Sequence, residues 1–161
     1  MSDLIWLVPL LPLAGFAING LGRDYFSKPV AAIIGNISVF IPFMLVVGMF
    51  FELSNGVEAK VVTVFDWITV ENFSVSFALQ VDPLSVLMML IVTGVGFLIH
   101  VYSAGYMHHD AGHNRFFAYL NLFIFFMLLL VSGANYLVLF VGWEGVGLCS
   151  YLLIGFWYKN Q

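Results

Sequence analysis

The run Gly142-Trp143-Glu144-Gly145-Val146-Gly147-Leu148-Cys149-Ser150-Tyr151-Leu152-Leu153-Ile154-Gly155-Phe156-Trp157-Tyr158 sets a carboxylate inside a membrane-length apolar stretch. An acid at that depth costs about 2.5–3.5 kcal/mol on insertion scales, and acids kept there mark ion or proton pathways. No Lys or Arg lies inside any apolar span of the chain, so Glu144 has no cation on its own helix. Helical spacing places Gly147, Leu148, Tyr151 and Gly155 on the face of Glu144. Small and hydroxyl-bearing residues there let a second helix or a file of water approach the carboxyl closely, and Tyr151 is its candidate hydrogen-bond partner. A dry, unpartnered site favours the protonated acid and a nearby cation favours the carboxylate, so a carboxyl moved between the two loads and releases a proton. The plainer alternative is a protonated Glu144 bonded to a neighbouring helix as packing glue.

His100 is the other ionisable side chain well inside a span. Imidazole titrates near neutrality, which makes His100 a candidate proton relay; its alternatives are a place among lipid headgroups or a bond to Tyr102 or a backbone carbonyl. His108, His109, Asp110 and His113 cluster after that span, but no helical or strand framework fixes a four-ligand geometry, so a solvated loop is the reading. Cys149 has neither a base nor a second thiol beside it and reads as a small core residue. Trp6, Trp143 and Trp157 read as anchors at span ends or helix contacts. The sequence carries no phosphate loop, CxxC, dinucleotide fingerprint or paired haem histidines. The expectation is a chain with no redox centre, cofactor or metal of its own.

The elements that position these groups belong in lipid. Of 161 residues, 62% are hydrophobic and 9% charged, with mean hydropathy +1.03, against about a quarter charged in soluble domains. A net charge of −4 without a basic cluster gives no sign of nucleic acid. The first apolar segment lacks a basic n-region and a small-residue cleavage site, so it reads as a retained helix rather than a signal peptide.

Five spans of about 18–25 residues are predicted: Leu4–Leu21 with Pro9 and Pro12, Val30–Leu53 with a kink at Pro42, a third from Asp82-Pro83 to Tyr106, Phe116–Gly133, and Tyr136–Tyr158. Asp82 supplies the N-cap oxygen of the third and Pro83 its first residue. Between the second and third spans, Phe73, Val75, Phe77 and Leu79 alternate with Ser74, Ser76, Ala78 and Gln80. With Val61, Thr63, Phe65 and Trp67 before a turn at Val70-Glu71-Asn72, this predicts an extramembrane β-hairpin. A two-stranded hairpin is marginal alone, so it must dock on its own chain or a neighbour, with a tie along the outer membrane face as the expectation. The fold class is thus all-α integral membrane, five helices with one hairpin. With the amino terminus outside, Arg23, Lys28, Arg115 and Lys159 fall on the cytoplasmic side and Lys60 outside, which obeys the positive-inside rule. Lys159-Asn160-Gln161 follows the fifth span directly, and the unpaired Glu144 then reads as part of a larger protein.

Val81-Asp82-Pro83-Leu84-Ser85, Gly94-Val95-Gly96-Phe97-Leu98-Ile99-His100-Val101-Tyr102-Ser103, Phe116-Phe117-Ala118-Tyr119-Leu120-Asn121-Leu122-Phe123 and above all Gly142–Trp157 resemble the subunit L (antiporter-like, chain 5) type of proton-pumping NADH:quinone oxidoreductase, respiratory complex I. The resemblance covers the whole chain. It implies two amino-terminal helices over residues 1–54, a periplasmic hairpin over 55–81, and, over 82–161, the first three helices of an inverted-repeat proton channel. It also implies that Glu144 pairs with a Lys on a later helix, in an ion pair that opens and closes as protons move. NAD, FMN, iron–sulfur clusters and quinone would sit in partner subunits. The partners implied are other membrane-arm subunits and the lipid of a bacterial inner membrane. The large subunit of a multisubunit sodium/proton antiporter is the alternative, and Cys149-Ser150-Tyr151 looks more like the respiratory type. A purely structural lateral element is the third reading.

Overall fold

Asp82 and Pro83 begin a helix as the sequence predicts. In the computed structural model, which describes residues 1–71 and 73–158, the Ser85 N–H donates to Asp82 Oδ1 at 2.6 Å and the Asp82 N–H donates to Ser85 Oγ at 3.0 Å. This reciprocal box satisfies two of the donors a helix start leaves open. The elements run α1 Leu7–Leu21, after a short 3-10 turn at Ser2–Leu4, then α2 Lys28–Ser54, β1 Lys60–Val70, β2 Phe73–Val81, α3 Pro83–Tyr106, α4 His113–Ser132 and α5 Tyr136–Ile154. The first stretch, from Ser2 to Leu21, and helices α2–α5 are all long and apolar enough to cross a membrane.

Of the boundaries that differ from the sequence reading, among them the starts of α1 at Leu7 and α2 at Lys28, two bear on the site. The fourth helix starts at His113, so Arg115 stands in its first turn rather than ahead of it. The fifth stops at Ile154, where the Gly155 N–H closes on the Tyr151 carbonyl at 3.0 Å. The chain then turns back because its aromatics find partners. Phe156 is buried edge-on against Phe116, and the Trp157 indole N–H donates to Asp110 Oδ2 at 2.8 Å. Lys159, Asn160 and Gln161 lie outside the described residues.

The expected hairpin is present. Antiparallel β1 and β2 pair from Lys60↔Val81 to Val70↔Phe73, with irregularities between Thr63 and Phe65 and between Asp66 and Ile68. Those two steps reconcile 11 residues on β1 with 9 on β2. Glu71 takes φ 45°, the sign a primed two-residue turn requires; Asn72, in the same expected turn, is outside the described residues. Phe65 stacks on Phe77 across the strands at 5.1 Å. The hairpin docks on its own chain. The Ala134 N–H donates to the Ala78 carbonyl at 3.0 Å, Asn135 Nδ2 donates to the Ser76 carbonyl at 2.8 Å, and Leu79 bridges to Gly133. Burial of Ala78 together with Leu79 breaks the simple in-and-out alternation, because the α4–α5 turn covers this stretch of β2.

Helix α4 is the hub, packing on α1, α2, α3, α5 and β2. The main core, beneath the hairpin, draws Ile5 and Val8, Val39, Val46 and Met49, Leu79 and Val81, Val86 and Met89, and Ile124, Leu128 and Leu129 together. At that end the amino terminus and Ser2 bind Glu52 (Ser2 Oγ to Oε2, 2.6 Å), and Lys60 Nζ donates to Asp3 Oδ1 at 2.6 Å. The opposite end carries Arg23, Lys28 and Arg115. There Lys28 Nζ donates to the His108 carbonyl at 3.0 Å and Asn114 Nδ2 to the Phe26 carbonyl at 2.8 Å.

Candidate functional site

Helix α5 is built with two different faces. Gly142, Gly145 and Cys149 are buried on one, at the three- and four-residue spacing of a helix seam. A Cβ at Gly142 would lie 2.5 Å from the Leu130 backbone nitrogen, and one at Gly145 would collide with the Phe126 ring. These small residues let α5 lie directly on α4. Trp143, Glu144, Gly147, Leu148, Tyr151 and Gly155 point the other way and are exposed. Trp143, 65% exposed, sits mid-helix on the outward face rather than at a span end, because Gly142 and Gly145 claim the inward one.

Glu144 lies about 12 Å along the axis from Tyr136, near the middle of the helix. No hydrogen bond or ion pair joins it to any described residue. A Cβ at Gly147 would meet nothing within 4 Å, so the helix face one turn from the carboxyl is open. Tyr151, 75% exposed, shares the face but makes no hydrogen bond to Glu144; seven residues of helix put about 10 Å of rise between them. Tyr151 and Gly155 instead line a cavity of about 260 Å3 with Arg115, Tyr119 and Phe156. The Glu144 stripe thus opens, at the basic end, beside a cation.

His100 belongs to a different constellation. It is 1% exposed, and its Nδ1 lies 2.8 Å from the Gly96 carbonyl oxygen. A carbonyl only accepts, so Nδ1 carries a hydrogen, and in the neutral ring Nε2 then presents a lone pair. The Asn121 side chain, 0% exposed, lies against this ring and accepts from Ser38 Oγ at 2.8 Å. Asn121 Nδ2 and His100 Nε2 are each buried without a partner in ordinary hydrogen-bond geometry, one a donor and the other an acceptor. Ser38, Asn121 and His100 therefore form a polar line across α2, α4 and α3. Of the alternatives for His100, the backbone carbonyl is the one realised, and no bond joins it to Glu144. Sequence reasoning missed Ser38 and Asn121, as it missed Asn19, whose Nδ2 donates to the Ala31 carbonyl at 3.1 Å. Amides and hydroxyls in the middle of apolar spans were the signal.

His108, His109, Asp110 and His113 form no metal-binding group among the described residues. Asp110 accepts from the Trp157 indole and from the Gly112 N–H, which hold its carboxyl below the usual range.

Residues 67–117, which include β2 and all of α3, match the family model for the NADH-ubiquinone oxidoreductase (complex I) chain 5 N-terminus. Subunit L of the Escherichia coli NADH-quinone oxidoreductase is 44% identical over 98% of this chain and 26% of its own length. The Mycobacterium tuberculosis H37Rv subunit L is 46% identical over 96% of this chain and 25% of its own length. The chain thus spans about a quarter of the length of the curated relatives it matches. Among solved structures, the Mrp complex from Dietzia sp. DQ12-45-1b is similar at TM-score 0.62 and 26% identity, covering 91% of this chain and 16% of the other. Across nearly its whole length, the chain matches the amino-terminal part of the antiporter-like subunit L family of complex I.

Proposed function

We propose that the chain forms the amino-terminal part of a proton-translocating membrane-arm subunit of NADH:quinone oxidoreductase, with Glu144 as the proton-carrying carboxyl. The observation that carries this reading is the placement of Glu144: mid-helix, unpartnered among the described residues, on the open face of α5, which runs on through Tyr151 and Gly155 to a cavity beside Arg115. That face admits a cation-bearing helix or water. When the cation withdraws, Glu144 takes a proton; when it returns, the carboxylate is favoured and the proton leaves. Tyr151 orders water along the stripe, and His100 serves a separate polar line rather than the Glu144 stripe. Redox energy reaches the subunit from partners that hold NAD, FMN, iron–sulfur clusters and quinone. The hairpin end lies on the periplasmic side of a bacterial inner membrane; Arg23, Lys28 and Arg115 at the opposite end support that orientation.

The fold shared with the Mrp complex is compatible with the sodium/proton antiporter alternative. The higher identity to subunit L favours the respiratory reading. Gentle extraction of native membranes and separation of their complexes tests the choice. Co-migration of the chain with NADH:quinone reductase activity is the expected result. An intact reductase elsewhere on the gel, without this chain, would move the assignment to the antiporter.

A further inference from the structure

A cavity of about 480 Å3 opens at the basic end, between the α1–α2 and α3–α4 loops, and Arg23, Lys28, His113 and Arg115 line it. Three of the four Lys and Arg side chains among the described residues therefore converge on one opening, facing a single lining carboxylate, Asp24, which Arg23 already engages at 3.3 Å. Asp110, the other acid of this end, accepts from Trp157 and Gly112 and lies near enough to Arg115 and Lys28 to offset part of their charge.

The direct contacts of Lys28 and Arg115 are with neutral groups. Lys28 Nζ donates to the His108 carbonyl, which leaves it hydrogens to spare. The Arg115 guanidinium lies 4.7 Å above the Phe156 ring, and its Nε is buried without a hydrogen-bond partner. Both α2 and α4 begin at this opening, and neither has a side-chain cap. A helix start leaves first-turn N–H groups and a positive dipole end open to an anion, and Ser27 and Lys28 at the start of α2 and Gly112 to Arg115 at the start of α4 line the opening. Tyr25, Tyr106, Trp157 and Tyr158 are exposed around the same end, and Leu21 is exposed beside it. Such a belt of aromatic rings marks headgroup depth, where the abundant anion is a lipid phosphate.

We propose that this cavity binds the phosphate of an anionic phospholipid, with Lys28 and Arg115 as ionic contacts, the α4 first turn as neutral donor and Arg23 at the rim. The site stands on the geometry of the basic end and is independent of the role of Glu144. The test uses the full-length protein in its native complex, reconstituted in nanodiscs of mixed phosphatidylglycerol and phosphatidylcholine, with retained lipid counted by mass spectrometry. Arg23→Gln, Lys28→Gln and Arg115→Gln should each lower phosphatidylglycerol retention about fivefold, the effect of one cation at a membrane surface. Phosphatidylcholine retention should stay constant, and Arg115→Lys should retain most of the binding. If Arg115→Gln fails to assemble, Arg23→Gln at an exposed position and Lys28→Gln at a half-buried one carry the test. Equal phosphatidylglycerol retention in wild type and the Arg23→Gln/Lys28→Gln double variant would overturn the proposal. So would inorganic phosphate that binds the lipid-depleted complex as tightly and displaces phosphatidylglycerol at millimolar concentration, since the ligand would then be a soluble anion.

Discussion

Replacing Gly142 with Ala tests whether α5 is held against α4 by direct backbone contact. The new Cβ would sit 2.5 Å from the Leu130 nitrogen and 2.7 Å from its Cα, against an ordinary contact of 3.4–4 Å. These are backbone atoms and cannot rotate aside, so α5 must retreat by about 1 Å, a forced overpacking worth about 1–3 kcal/mol. Alanine's better helix propensity returns at most about 1 kcal/mol, so the overlap decides the sign. Gly105→Ala on α3 is the control, because its Cβ meets nothing within 4 Å and it lies off the face of Glu144. Denaturant titration of the full-length protein in detergent should show Gly142→Ala destabilised by about 1–3 kcal/mol and Gly105→Ala unchanged or slightly stabilised. Because Gly142 precedes Glu144 by half a turn, the same retreat displaces the carboxyl, and proton translocation should fall with stability. A Gly142→Ala protein as stable as wild type would refute the α4–α5 packing and the faces assigned to α5.

Asn135→Ala removes both the α5 N-cap, where Oδ1 accepts from the Val138 N–H at 3.0 Å, and the tie to the Ser76 carbonyl. Each bond contributes about 1 kcal/mol, so hydrogen exchange in β2 should quicken; unchanged exchange would contradict the docking of the hairpin on the α4–α5 turn. Asp110 titrates below its ordinary value because the Trp157 indole and the Gly112 N–H bond the carboxylate. A depressed folded-state value means this tether is fully present above the unfolded value and is lost as pH falls through the folded one. Trp157 fluorescence should therefore change with a midpoint below that of an unpaired aspartate, and Asp110→Asn should remove the transition; a midpoint at the ordinary value would count against the tether.

What was legible in the sequence was what local chemistry dictates. Asp82-Pro83 announces its helix because cap and first turn are neighbours, and Phe73, Val75, Phe77 and Leu79 announce a strand by their period of two. The spacing of Glu144, Gly147, Tyr151 and Gly155 likewise gives one helix face without any knowledge of partners. Relations between distant residues were not legible. Ser38 and Asn121 meet only because α2 and α4 pack, across 83 positions. Arg115 joins Arg23 and Lys28 only when two loops close together. The end of α5 was misplaced because Phe156 and Trp157 are apolar enough to extend a span, yet bind Phe116 and Asp110 instead. The docking of the hairpin could not be read either, since it uses backbone carbonyls of Ser76 and Ala78, which every residue carries.

The most direct test of the account is proton translocation by a complex carrying Glu144→Gln, which keeps the side chain's shape and removes its ability to lose a proton. With assembly verified on a native gel and the complex reconstituted in liposomes, protons moved per NADH oxidised should fall, and coupled quinone reduction should slow. An assembled Glu144→Gln complex with wild-type proton stoichiometry would contradict the assignment of Glu144 as the proton carrier and leave it as packing glue.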